Sequence, residues 1–322
     1  MEEAIKKFAT QFNFDPEIQN AEHFKPAQSF VLAGMGGSHL SAGLLKMANP
    51  DLDLYIHRDY GLPALSHKKF ANSLFIASSY SGNTEEVLDF AQKAHDKKYA
   101  VAVVALGGSL IDFAKKNNLP YIQLPDVGLE PRSALGFSLV ALAKLTNDSK
   151  LLSDLRALSF HINPLKTEER GMALAKNLAG KTPIIYSSRT NISLAYNWKI
   201  KFNETGKIPA FYNIFPELNH NEMTSFDVID STRDLSKNFH FIFLKDGHDH
   251  PKIIKRMEIT KKLLEQRGFS VSVIDIVETD SFWENVFNLL LLADWTALYI
   301  SRAYGTEAEA VPMIEEFKKL IA

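Results

Sequence analysis

Short apolar runs recur along the chain, and helical patterns follow them. Ser29–Ala33, Leu52–Ile56, Ser73–Ala77, Tyr99–Ala105 and Tyr121–Leu124 read as buried strands. After the first, Leu40, Leu44, Leu45 and Met47 fall at helical spacing; after the third, Val87, Leu88, Phe90, Ala91 and Ala94 do the same. Strands alternating with helices in this rhythm predict a parallel sheet covered on both faces. A long helical stretch after Pro131 runs to Leu145, and the alternation then restarts. Strands are expected over Pro183–Tyr186, Ala210–Phe215, Phe239–Leu244 and Ser270–Ile276, with helices over Leu194–Phe202 and Ile253–Gln266. Trp283–Tyr304 is too apolar for a one-sided surface helix, which predicts packing on both sides or at a subunit contact. Pro312 opens a last short helix to Ile321. The expected fold class is α/β: two doubly wound, flavodoxin-like halves in tandem, without a clear sequence repeat. The polar Asn147-Asp148-Ser149 sets the expected boundary, giving residues 1–148, with an N-terminal arm helix ending near Pro16, and residues 149–322.

Composition narrows the function classes. With 46% hydrophobic residues in 322, two cores can be filled. A net charge of −2 provides no general attraction to nucleic acid or an anionic membrane, so any anion site must be local. The absence of cysteine excludes disulfides, thiolate metal sites and a thiol nucleophile. The opening residues are amphipathic and acidic, without a signal-peptide core, and the most apolar run, Leu289–Ala293, is too short to span a bilayer. A soluble cytoplasmic protein with no nucleic-acid or membrane partner is expected.

The candidate chemistry clusters at predicted strand ends. Ser79, Ser81 and Thr84, with Gly82 among them, lie between a strand and a helix start. Amides and the positive end of a helix dipole attract phosphate there, and hydroxyls add donors without charge. The same residues could instead be a Ser/Thr-capped helix with Glu85 and Glu86 in its first turn. Gly34-Met35-Gly36-Gly37-Ser38 follows the first strand and suits close approach of backbone to a small polar ligand, or is a plain strand-to-helix turn. Neither loop is a nucleotide motif: no GxxxxGK[ST] occurs, and His39 stands where a dinucleotide fingerprint needs Gly. No cofactor is expected. If both loops close neighbouring parallel strands, Ser38 comes near Ser79, Ser81 and Thr84. Arg132 follows Pro131 at a predicted helix start, where the dipole disfavours a cation, so it is a candidate clamp for a phosphate or an enediolate oxygen; the alternative is a solvated surface arginine. Glu204 in Phe202-Asn203-Glu204 could transfer protons, or be a surface carboxylate at a helix end, and His220 after Pro216 could shuttle a ring-opening proton. With no HExxH spacing, a metal is not expected.

GMGGS (34–38), SYSGNTEE (79–86 with Ser79 first), PRSALG (131–136), FNE (202–204), PELNHNE around His220 and the closing PMIEEFK (312–318) stand in this order over nearly the whole chain. In this the chain resembles the bifunctional phosphoglucose/phosphomannose isomerase family, whose members carry tandem sugar isomerase (SIS) domains. The resemblance implies that Ser79, Ser81 and Thr84 hold the 6-phosphate of a hexose 6-phosphate, and that Gly37 and Ser38 line the sugar site. It implies that Arg132 steadies the enediolate, that Glu204 moves a proton between C2 and C1, and that His220 and Lys318 open the ring. It also implies metal-independent catalysis and a homodimer in which His220 acts in the other subunit's site. Val311 departs from the Thr that members with both activities can carry, which bears on the glucose/mannose balance, and His39 stands where a small residue is common.

Glucose 6-phosphate and mannose 6-phosphate differ only at C2, so one base and one enediol can serve both with fructose 6-phosphate. The competing reading is a phosphosugar sensor with the same pocket and no turnover, which would need the hydroxyl loop but not Glu204, His220 and Lys318. The isomerase part of a glutamine-dependent synthase would need a cysteine nucleophile, which is lacking.

Overall fold

A computed structural model describes residues 1–321. They form two compact units: residues 7–162, and residues 163–321 together with 1–6. The opening helix α1 (Glu2–Lys6) packs with the C-terminal unit, where Glu2 pairs with Arg302 and the N-terminal ammonium with Glu309.

The N-terminal unit alternates β1 (Ser29–Ala33), α2 (Leu40–Ala48), β2 (Asp53–His57), α3 (His67–Ala71), β3 (Ser73–Ser78), α4 (Glu85–Asp96), β4 (Ala100–Ala105), α5 (Gly108–Lys116) and β5 (Tyr121–Gln123), and ends with α6 (Leu135–Leu145) and α7 (Ser149–His161). Its sheet is wholly parallel, in the order β2-β1-β3-β4-β5. Val31, Phe75, Phe90, Ala91, Val101 and Val103 belong to its main core, which follows from β1, β3 and β4 being almost continuously apolar. Chain order reverses between β1 and β3, and the register pairs Ala33 with Ala77. The loops leaving these strands therefore emerge side by side at a topological switch point, the usual place for a ligand in such a sheet.

The C-terminal unit runs α8 (Glu168–Asn177), β6 (Thr182–Ser188), α9 (Ile192–Glu204), β7 (Phe211–Phe215), α10 (Arg233–Ser236), β8 (Phe239–Lys245), α11 (Pro251–Gln266), β9 (Ser270–Asp275), α12 (Phe282–Tyr304) and α13 (Pro312–Ile321). Its parallel sheet has the order β7-β6-β8-β9, over a core of Tyr186, Phe215, Phe226, Phe241, Phe243 and Phe269. Helix α12 is buried on most of its circumference because it packs against both α8 and α9. Every residue of α13 is exposed, including Met313, Phe317, Leu320 and Ile321. Among the described residues no helix is long and apolar enough to cross a membrane.

The alternation is as the hydrophobic pattern predicts, but the allocation of residues to halves differs. The boundary lies at 162/163 and not after 148, because α7 packs on α6 and on the 3-10 turn Phe8–Asn13. Asn147, with φ +56°, only turns the chain between α6 and α7, and Asp148 caps α7 by accepting from the Leu151 amide at 2.8 Å. The expected arm helix breaks at Lys7, and its two pieces belong to different units. Gly107 stands at the N-cap of α5, and Gly108 is its first residue.

Candidate functional site

The hydroxyl loop is built on the reversal between β3 and α4. Thr84 has extended backbone at the N-cap of α4 but makes no side-chain cap bond. Its hydroxyl turns instead to Ser79, with Oγ1 and Oγ 2.8 Å apart. The simple helix-cap reading therefore fails at its key residue, and the helix start keeps its anion-attracting amides. The Gly82 amide donates to Ser79 Oγ at 3.1 Å and the Asn83 amide to Ser81 Oγ at 3.3 Å. Ser81 is exposed, Thr84 half-buried and Ser79 buried. Gly82 has φ +73°, and an added Cβ would stand 1.7 Å from the Gly107 carbonyl oxygen, so the turn accepts only glycine.

The glycine loop meets it. The Tyr80 amide donates to Ser38 Oγ at 2.8 Å, and Ser78 Oγ donates to the Ser38 carbonyl at 3.1 Å. Ser38 is thus bound into the joint between the two loops as well as lying beside them. His39 is buried, and its pKa is pushed down to about 4, first by burial and then by the Arg58 charge. At neutral pH it is an uncharged imidazole and adds no cation to this crevice.

Arg132 lies in a 3-10 turn, Pro131–Ser133, which precedes α6 and replaces the helix start expected there. Its side chain is only 1% exposed, which rules out the solvated surface arginine; Glu130 lies 3.7 Å from it. Gly37 packs flat against this turn: a Cβ on Gly37 would stand 2.6 Å from Pro131 C and 2.8 Å from the Arg132 amide nitrogen. Gly37→Ala is expected to cost ~1–3 kcal/mol by overpacking and to move Arg132, read as a lower urea midpoint together with lower activity. An unchanged midpoint would show that the turn yields freely.

In the C-terminal unit, Glu204 is the last residue of α9 and is half-buried. One turn earlier, the buried Lys201 pairs with buried Asp294 of α12 at 2.6 Å, which anchors the end of α9. His220 ends the 3-10 turn Glu217–His220 and is exposed. Lys318 is on α13, exposed and paired with Glu315 at 2.7 Å. The Val311 carbonyl accepts from the Ile314 and Glu315 amides at 3.0 and 3.1 Å, so Val311 occupies the cap position of α13, where Thr would offer a hydroxyl and Val offers none.

The second sheet has its own reversal, between β6 and β8, but with the opposite chemistry. Asn191 Nδ2 donates to Asp246 Oδ2 at 3.1 Å, and Asp249 stands nearby with its pKa raised by burial and then by Asp246. Two carboxyl groups make this a poor place for phosphate. His250 is used locally, its Nδ1 accepting from the Lys252 amide at 3.1 Å. Among the described residues no group of three or more His, Asp or Glu side chains could hold a metal ion.

A family profile described as the bacterial phospho-glucose isomerase C-terminal SIS domain matches residues 167–321. A bifunctional phosphoglucose/phosphomannose isomerase of Caldicellulosiruptor bescii is 34% identical over 346 aligned residues, covering 98% of each chain. The chain belongs to the bifunctional phosphoglucose/phosphomannose isomerase family. The family protein of Aquifex aeolicus is 30% identical over 98% of this chain and 96% of its own. Among solved structures, a hypothetical protein from Thermus thermophilus superposes with a TM-score of 0.70 at 18% identity, covering 99% of this chain and 87% of that one, a likeness of fold.

Within this family framework one supporting residue escaped the sequence reading. Gln11 is buried; its Nε2 donates to the Ser133 carbonyl at 2.7 Å, and its Oε1 accepts from the Gly136 amide at 2.9 Å. It locks the turn that carries Arg132. A polar residue inside an amphipathic opening segment gives no sign of a partner more than a hundred positions away.

Proposed function

We propose that this family member is an aldose–ketose isomerase that interconverts glucose 6-phosphate, mannose 6-phosphate or both with fructose 6-phosphate. The observation that carries the reading is end-to-end similarity to relatives named as phosphoglucose/phosphomannose isomerases. The uncapped start of α4, ringed by hydroxyls, supports it as a neutral cradle for a phosphate.

In this reading Ser79, Ser81 and Thr84 hold the 6-phosphate and Gly37 and Ser38 the sugar end. Glu204 takes the proton from C2 of the open-chain aldose and returns it to C1. The negative charge that develops on the enediolate oxygen is met by Arg132; its burial supports this, since a guanidinium shielded from water acts most strongly on such charge. His220 and Lys318 open the ring. No step requires a metal. The protein works as a homodimer, with His220 serving the other subunit's site; the exposure of His220 and of the apolar face of α13 supports this arrangement.

The test is kinetic. Purified protein given fructose 6-phosphate with a chelator present should form glucose 6-phosphate or mannose 6-phosphate and exchange the C1 or C2 proton with solvent. Binding without exchange would leave a phosphosugar sensor. Mixed Glu204→Gln and His220→Ala subunits should recover activity if His220 acts in trans; no recovery would place it in its own subunit's reaction.

A further inference from the structure

The last carbonyls of any helix lack partners within it. At the end of α9 they are claimed in an ordered way. The Thr205 and Gly206 amides return to the Lys201 carbonyl at 2.9 and 3.1 Å, and the Ile208 amide returns to Phe202 at 3.2 Å. Asn203 Nδ2 donates to the Ile208 carbonyl at 2.9 Å. Between these, Lys207 takes the left-handed conformation, φ +56°, which costs a residue with a side chain ~1–2 kcal/mol. Such a conformation persists only where the surroundings hold it.

That backbone folds the Lys207 side chain back over the helix end. Its ammonium donates to the carbonyl oxygen of Glu204 and to that of Ala310. A cation is favoured at a helix C-terminus, so the first contact is where the dipole wants it. The second reaches the segment between α12 and α13. This segment is itself fixed: the Glu307 carboxylate accepts from the amides of Glu309, at 2.8 Å, and of Ala310, and the N-terminal ammonium pairs with Glu309. Val311, at the cap of α13, is the next residue, and α13 carries Lys318.

We propose that Lys207 is a positioning residue: its ammonium ties the end of the helix that bears Glu204 to the root of the helix that bears Lys318. Proton transfer and ring opening then draw on groups held by one clamp, with Lys207 itself touching no substrate. The inference rests on the isomerase reading for its consequence in catalysis, but the clamp is testable without it.

Lys207→Met removes the ammonium at nearly constant length, and Lys207→Gly removes it while easing the left-handed backbone, which guards against loss of folding. Both should lower kcat by about 10- to 100-fold, since a misplacement of about 1 Å can cost two orders of magnitude. KM for fructose 6-phosphate should stay within about threefold, because uniform binding is untouched. Amide hydrogen exchange over residues 308–315 should quicken about tenfold or more, reporting local opening. Lys207→Arg, which keeps the charge and donors, should restore most of kcat. Unchanged exchange in the Met and Gly variants overturns the clamp. Faster exchange with wild-type kcat overturns its part in catalysis, as does an arginine variant no better than methionine. If the wild-type protein shows no turnover, the isomerase reading falls instead, and exchange alone judges the clamp.

Discussion

Replacement of Glu204 by Gln should reduce kcat for fructose 6-phosphate by about 10³-fold, within the 10²–10⁴ range typical of a lost acid–base group. Glutamine keeps the shape and loses the ability to accept a proton. Position 204 ends a helix, where a carboxylate gains nothing from the macrodipole, so helix stability does not explain its place there. Being half-buried, it also differs from the freely solvated side chain that a surface role predicts. A change away from core and caps normally moves stability by no more than about 0.5 kcal/mol. The thermal midpoint should therefore hold while turnover collapses, with KM within about threefold. Stopped-time assays for glucose and mannose 6-phosphate, with calorimetry on the same protein, make the comparison. A variant with a tenth or more of wild-type turnover would remove Glu204 from the proton path.

The sequence announces the sheets because their periods are strong. β1, β3 and β4 are short and apolar, and their ends fall within a residue or two of expectation. The loops were legible for the same reason: a parallel sheet sends its strand-end turns to one edge. What each loop residue does was less legible. Thr84 looks like a cap in one dimension, and only the folded chain shows its hydroxyl turned to Ser79. Arg132 looks like any arginine after a proline until Gln11 and Gly37 close around its turn from distant positions. Lys207 gives no signal, since a left-handed lysine is read from backbone geometry alone. The split of residues 1–13 between two units was hidden too. One amphipathic pattern runs through the break at Lys7, while Glu2 answers to Arg302 and Gln11 to Ser133. Local periodicity carries elements; long-range pairings carry allegiance and burial, and these are not periodic.

Arg132→Met should lower kcat by about 10²- to 10³-fold, the size of effect seen when a fixed donor to a developing oxyanion is removed. The sign of the stability change separates this role from a structural one. Burying a guanidinium is expensive: replacing a whole buried ion pair by apolar side chains of similar volume is often neutral or stabilising by ~1–4 kcal/mol, and removing one partner is costly only where the other charge stays buried. Glu130, its ion-pair partner at 3.7 Å, is 38% exposed, so water can take over its solvation when the cation is gone. Were Arg132 kept for the fold, Met would lower the denaturant midpoint. Kept for the reaction, Met leaves the midpoint in place or raises it while turnover falls. Arg132→Lys refines the argument: a lysine restores charge but not the planar fork, so it should recover part of the rate and not all of it. Urea melts and initial rates on the three proteins decide the matter. A methionine variant that melts early, with its folded fraction fully active, would return Arg132 to the scaffold.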